Sequence, residues 1–263
     1  MTVVDRTIAE ISTHVQRLLR NEQTSQKSGF LQAVHPSVKI VGLFALIVVA
    51  VSLDAWPPQL LLLALVTGLA ISSRVSPLTL ARRVWIVPVA SLLIVAPQLV
   101  LIPGDSVAGP ITDAGVGYVV TFVLRVAVSV ALLSLLIVTT RFADVLSGLR
   151  RLGVPAVGVT LIGVTHRYLL VFFTELDRVV RARRSRTIAY RGAGQTWRET
   201  GSMLGSFLLR AFERGERVQR SARARGGTTM TPYSDDNRLS RVDAGFAVVT
   251  ITVVLARVGV ALA

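Results

Sequence analysis

Five apolar runs dominate the pattern of hydrophobic and polar positions along the chain. They cover residues 38–53, 59–71, 84–102, 116–138 and 242–263. A helix needs roughly 20 apolar residues to cross a bilayer, so the first two runs are short for the task. The turn Asp54–Pro58 joins these two, and we interpret them as a hairpin of two spans, with a re-entrant pair as the alternative. The pattern predicts an all-α polytopic membrane protein with about five transmembrane helices.

The first of two long helices is predicted after the fourth run. It extends from Pro155, a favourable residue for a first helical position, to about Thr187. Its side chains are apolar as far as Phe173 and basic beyond that point. At ~1.5 Å per residue the helix is about 50 Å long, enough to cross the membrane interface and leave it.

A second long helix is predicted from Thr196 to about Arg225. Residues 196–199 read Thr-Trp-Arg-Glu, the spacing of a capping box, in which the threonine oxygen and the glutamate each satisfy a free backbone amide. At the other end, Gly226 and Gly227 favour a left-handed stop. A helix of this length would place Arg186, just before it, about 40 Å from Arg225.

Composition and charge place these helices in a membrane. Hydrophobic residues make up 52% of the chain, and the mean hydropathy is +0.60. Of the 29 Lys and Arg residues, 27 lie within residues 1–39, 74–83 and 141–241, whereas the two expected outside loops contain three aspartates and no basic residue. By the positive-inside rule, this distribution predicts a multi-pass protein of the cell membrane with its N-terminus in the cytoplasm.

The sequence contains no recognisable catalytic or cofactor motif. Cysteine is absent, His14, His35 and His166 lack the spacing of metal ligands, and no GxxxxGK[ST] nucleotide-binding loop is present. We therefore expect neither an enzyme nor a protein that binds a metal or cofactor. Nucleic acid is not an expected partner, because apolar helix faces interrupt the basic segment. Arg125, about a third of the way into its run, either lines a pathway or packs against a partner in the bundle.

Two arginine-centred triplets end the predicted long helices, each after a turn of acidic residues and arginine. Arginine suits a protein contact because its planar guanidinium binds carboxylates or carbonyls with two hydrogen bonds and remains charged when partly buried. Contact with anionic lipid is the alternative, at about 1 kcal/mol for each basic residue. The members of the two triplets are Ser185, Arg186, Thr187, Ala224, Arg225 and Gly226.

These features together resemble the transmembrane T component of energy-coupling factor transporters, in particular the cobalt-transporter CbiQ type. The motif His-Pro-Ser-Val-Lys at residues 35–39, the motif Leu-Arg-Arg-Leu-Gly-Val-Pro at residues 149–155 and the two triplets carry the resemblance. Ala224–Gly226 matches the Ala-Arg-Gly pattern of the family, whereas Ser185–Thr187 departs from it. The resemblance covers most of residues 35–227.

The resemblance implies an energy-coupling scaffold with two kinds of protein partner. In this family two ATP-binding subunits bind in the cytoplasm, and a separate substrate-binding S component lies in the bilayer. The two long helices cross, each arginine triplet docks in a groove of one ATPase, and ATP-driven closure tilts the helices and topples the S component. Packing between the crossing helices is an alternative role for the expected S-component contacts, which are Leu161, Leu169, Phe172, Met203 and Phe207.

The pattern of apolar runs and charge also predicts a division of the chain. We expect a cytoplasmic N-terminal segment (1–37), a transmembrane bundle (38–140), a coupling-helix segment (141–227), and a loop with a final transmembrane helix (228–263). The transported substrate, cobalt, nickel or a water-soluble vitamin, depends on the S component. Two rival hypotheses remain: a conventional permease with its own substrate path, and a basic membrane anchor.

Overall fold

The computed structural model describes residues 29–108, 111–186, 193–226 and 240–262. Nearly all of these residues are helical, and the predicted all-α membrane-protein fold is confirmed. Two short strands, β1 (Ser106–Ala108) and β2 (Ile111–Thr112), pair antiparallel between the sixth and seventh helices. The helices are α1 (Phe30–Ala33), α2 (Pro36–Ser52), α3 (Trp56–Ser72), α4 (Pro77–Val84), α5 (Ile86–Val95), α6 (Gln98–Leu101), α7 (Asp113–Thr139), α8 (Phe142–Arg151), α9 (Ala156–Arg186), α10 (Ala193–Ala224) and α11 (Arg241–Leu262).

The chain divides into two compact units. The long-helix unit covers Met1–Arg20 and Val154–Ser234, and its described part consists of α9 and α10. The bundle unit covers Asn21–Gly153 and Asp235–Ala263, and it contains the other described helices and both strands. The predicted coupling-helix segment, residues 141–227, therefore includes one helix of the bundle unit, α8.

The core of the bundle unit forms around α7, which packs against α2, α3, α4, α5 and α6. Val128, Leu132 and Leu135 are fully buried along one stripe of α7, as expected from the helical spacing of four and three residues. The last helix, α11, also packs on α2. The two approach closely at Gly42, where an added Cβ would lie 2.4 Å from Cε1 of Phe246.

Length and composition identify fewer full-length spans than the five predicted. Within the described residues three helical segments qualify, Asp113–Thr139, Ala156–Ala182 and Arg241–Gly259, and the bent pair formed by α4 with α5 and α6 makes a fourth candidate. The helices of the first hairpin, α2 and α3, have 17 residues each. At 1.5 Å per residue each is about 25 Å long, shorter than the ~30 Å hydrocarbon core.

The third predicted span, residues 84–102, is interrupted at two places, and its prolines explain both interruptions. Pro88 lacks an amide hydrogen and leaves the carbonyl of Val84 without its i−4 partner. The break lies there: α4 ends at Val84, α5 begins at Ile86, and the two parts are bent by 44°. A second interruption, between α5 and α6, contains Pro97.

Two arginines satisfy the carbonyls at the C-terminal end of α2. Arg125 donates to the carbonyl of Leu53 at 2.6 Å and to Asp54 at 3.2 Å, and Arg257 donates to the carbonyl of Ser52 at 2.7 Å. The last carbonyls of a helix have no partner within it and carry partial negative charge. Of the two roles considered for Arg125, the structure supports packing within the bundle.

Candidate coupling site

The first triplet lies at the C-terminal end of α9. Ser185 and Arg186 are the last two residues of this helix, so its end agrees with the end expected near Thr187. Ser185 is exposed, and its hydroxyl donates to the carbonyl of Ala182 at 2.9 Å. The side chain of Arg186 and the whole of Thr187 lie outside the part of the chain that the structure describes.

The second triplet forms the C-terminal end of α10. Ala224 is the last helical residue, and the amide of Arg225 donates to the carbonyls of Ser221 and Ala222 at 3.3 and 3.2 Å. Gly226 then adopts φ = +78°, a left-handed conformation that glycine adopts without the steric cost of a Cβ. The expected glycine stop is therefore present, and it leaves Arg225 exposed at the helix end.

The N-terminal end of α10 differs from the expectation. The helix begins at Ala193, three residues before Thr196, so Thr196 lies within the first turn instead of preceding it. An N-cap residue must have non-helical dihedrals, and the predicted capping box is therefore wrong. The Thr-x-x-Glu pattern is short and also occurs inside helices.

Three of the acidic residues before the triplets pair with arginines on the same helix. Asp177 pairs with Arg181 on α9. On α10, Glu213 lies 3.7 Å from Arg217, and Glu216 lies 3.2 Å from Arg220. Exposed pairs of this i,i+4 kind contribute about 0.3–0.5 kcal/mol each.

Arg225 differs from these paired arginines. No carboxylate lies within 4.0 Å of it among the described residues. Because the flanking Ala224 and Gly226 are small, little covers the approach to its guanidinium. Within the part of the chain that the structure describes, Arg225 therefore presents a cation without an acidic partner at the tip of a helix.

The two long helices contact each other through an aromatic and ionic cluster. The rings of Phe172 and Phe207 meet edge to face at 5.9 Å, and the guanidinium of Arg214 lies 6.0 Å from the Phe172 ring. Arg214 also pairs with Glu175 at 3.2 Å. Sequence reasoning did not find this ion pair, because it assigned both residues to the acidic-arginine turns of their own helices.

The five predicted S-component contacts fall into two groups. Phe172 and Phe207 lie in the contact between the helices, which is the alternative role considered for them, and Met203 is half-buried. Leu161 and Leu169 are 65% and 46% exposed. A further exposed apolar group on α10 consists of Leu204, Leu208, Leu209 and Phe212.

Comparison with known families identifies the family to which the chain belongs. The family model for CbiQ, described as a cobalt transport protein, matches residues 27–233, well over half of the chain. The chain belongs to the CbiQ family. The match includes all six residues of the two triplets.

Two relatives support CbiQ-family membership. The Cobalt transport protein CbiQ of Rhodobacter capsulatus is 26% identical over 186 residues, which cover 71% of this chain and 75% of the relative. The Uncharacterized protein MJ1571 of Methanocaldococcus jannaschii is 27% identical over 232 residues, covering 84% and 80% of the two chains. The chain is therefore a component of a membrane transport system, and members of this family in general work with other subunits.

Proposed function

We propose that this chain is the transmembrane energy-coupling scaffold of an importer of the energy-coupling factor type. It transmits the motion of two ABC ATPase subunits to a separate substrate-binding S component in the membrane. One observation carries the proposal: in a member of the CbiQ family, two helices of 31 and 32 residues each end at a predicted arginine triplet. The long arginine-rich segment and the N-terminus lie in the cytoplasm, and the protein resides in the cell membrane.

The length of α10 supports two separate docking points. Its 32 residues correspond to about 48 Å at 1.5 Å per residue. Arg186 precedes this helix and Arg225 follows it. Two triplets at the ends of a helix this long suit two similar partners, one ATPase subunit at each.

The chemistry of the tips suits a groove that offers carboxylates or carbonyls. A guanidinium makes two parallel hydrogen bonds to such acceptors and stays charged in a partly dry interface. Ser185 and Thr187 on one tip, and Ala224 and Gly226 on the other, are small enough to enter a narrow groove. No metal or cofactor of this chain takes part.

The exposed apolar residues of the long helices form the surface for the S component. Leu161 and Leu169 are available for this contact, whereas Phe172 and Phe207 join the helices. Met203 is half-buried, as Phe172 and Phe207 are. The ion pair between Glu175 and Arg214 joins α9 to α10. A force applied at the tip of one helix therefore acts on the other helix as well.

The transported substrate is selected by the S component, and it is a transition-metal ion or a vitamin. The family and its Rhodobacter capsulatus relative are both described as cobalt transport proteins, which favours a cobalt ion. Uptake of labelled cobalt and of labelled vitamins by cells with and without this chain distinguishes the two classes.

Charge reversal at the second tip tests the docking role. Arg225→Glu should weaken capture of the ATPase subunits by roughly 30-fold or more, because reversing a charge at a buried contact costs about 2 kcal/mol or more. ATPase retained on the purified chain is the measurement. Arg223→Glu is the matched control, since Arg223 is exposed in the same last turn and carries the same charge.

Two outcomes would overturn the docking assignment. One is full ATPase retention and uptake in Arg225→Glu and in the double variant with Arg186→Glu. The other is an equal loss in Arg223→Glu, which would show that only the summed basic charge matters.

A further inference from the structure

A buried polar cluster in the bundle unit surrounds the His-Pro-Ser-Val-Lys motif, which the docking role does not explain. Lys39 is 1% exposed. Its ammonium donates to the carbonyl of Thr139 at 3.3 Å and to the hydroxyl of Thr140 at 3.1 Å. These acceptors are at the C-terminal end of α7, where unpaired carbonyls and the helix dipole favour a cation. Lys39 therefore ties α2 to the point where the chain leaves α7 for α8.

His35 makes a second connection from the same motif. A guanidinium has no acceptor, so Arg151 must donate in its 2.9 Å contact with Nε2 of His35. On the other side of the ring, Nδ1 lies 2.7 Å from the hydroxyl of Ser37 and 3.3 Å from its backbone amide. The backbone amide of His35 donates to Asp243, at the start of α11. His35 thus joins the beginnings of α2 and α11 to the last residue of α8.

A close backbone contact holds the middle of α8 against the start of α2. An added Cβ at Gly148 would lie 3.1 Å from backbone atoms of Pro36 and Ser37, and 3.0 Å from Cδ1 of Ile40. Such distances require the backbones to move apart by a few tenths of an ångström. Leu146 on the same helix is 2% exposed. The helix α8 is therefore fixed at its beginning, middle and end.

The position of α8 in the chain gives this attachment a consequence for coupling. Four residues separate the end of α8 at Arg151 from the start of α9 at Ala156. Gly153, with φ = +95°, and Pro155 lie among them, so the linker is short and turned. This linker and α8 form the covalent connection from the bundle unit to the start of α9.

We propose that Lys39 and His35 are positioning residues of energy coupling, which clamp α8 to α2 and so give α9 a fixed base. This inference rests on the proposed scaffold function. With the clamp in place, the movement that the ATPase subunits impose on the long helices is transmitted to the S component. Without it, α8 moves with α9 and the work of ATP hydrolysis is dissipated within the chain.

The test uses the full complex, purified and reconstituted in lipid vesicles, with uptake and ATP hydrolysis measured together. Lys39→Met should retain the ATPase subunits and hydrolysis but lower the ratio of uptake to hydrolysis by about fivefold or more, the lower end of coupling between sites. Gly148→Ala should have the same effect without a change of charge. Arg125→Met is the matched control, because Arg125 also donates to a helix-end carbonyl, at the opposite end of α2, and should leave the ratio unchanged.

The outcomes separate this inference from the scaffold function itself. If the unmodified chain retains no ATPase, the scaffold function fails. If the ATPases are retained and Gly148→Ala keeps the normal ratio, the clamp is overturned. An equal drop in Arg125→Met would also overturn it, since a general loss of bundle stability would then explain the effect. Should Lys39→Met fail to accumulate, Gly148→Ala and Arg151→Gln decide the question by the same ratio.

Discussion

Long polar side chains in the bundle unit are used repeatedly at the C-terminal ends of helices. Arg125 and Arg257 bind the last carbonyls of α2, Gln59 donates to the carbonyl of Ala50 at 2.6 Å, and Lys39 binds the end of α7. Each of these side chains gives a helix-end carbonyl a hydrogen-bond partner. An unpaired carbonyl in apolar surroundings is costly where water is scarce. Sequence reasoning singled out Arg125 by its depth, but its partner, 72 positions away, could not be predicted without the packing.

At this scale we expect Arg257→Met to lower the stability of the bundle unit by about 1 kcal/mol, because the carbonyl of Ser52 loses a charged donor in a half-buried site. The midpoint of thermal unfolding in detergent is the measurement. Arg178→Met, at an exposed position of α9, should shift the midpoint little. Equal midpoints for Arg257→Met and the unmodified chain would contradict the capping role.

At the scale of elements, the sequence predicted the long helices better than the breaks between shorter ones. The expected span 155–187 for the first long helix agrees with α9 (Ala156–Arg186), and the expected end near Arg225 agrees with the end of α10. Hydrophobic patterning and a C-terminal glycine are strong local signals. The apolar run 84–102 was predicted as one span, and its hydrophobic pattern does not locate the interruptions at Trp85 and between α5 and α6. Whether a proline bends or interrupts a helix depends on neighbours that satisfy the freed carbonyl.

The two groups of apolar residues on the long helices should behave differently when changed. Leu161→Arg should weaken capture of the S component and leave ATPase capture intact, because this side chain is 65% exposed. Phe207→Ala should weaken both, because it removes the ring contact between α9 and α10. Co-purification of each partner with each variant is the measurement. A normal S-component yield from Leu161→Arg would exclude this surface.

At the scale of the whole molecule, composition and charge predicted the class of protein, and the CbiQ family confirms it. The number of spans was harder to predict from the sequence than the class of protein. Two helices of 17 residues and a pair bent by 44° are too short or too broken to qualify alone, although each is strongly apolar. Such segments occur at membrane depth when neighbours satisfy their ends, as Arg125 and Arg257 do for α2.

The central claim is that one chain of this protein joins two ATPase subunits to one S component. The most direct measurement is the subunit stoichiometry of the complex that the chain carries when purified from its native membrane in mild detergent. We predict two ATPase subunits and one S component for each copy of the chain. A complex with a single ATPase subunit, or a chain that carries its substrate without an S component, would contradict the account.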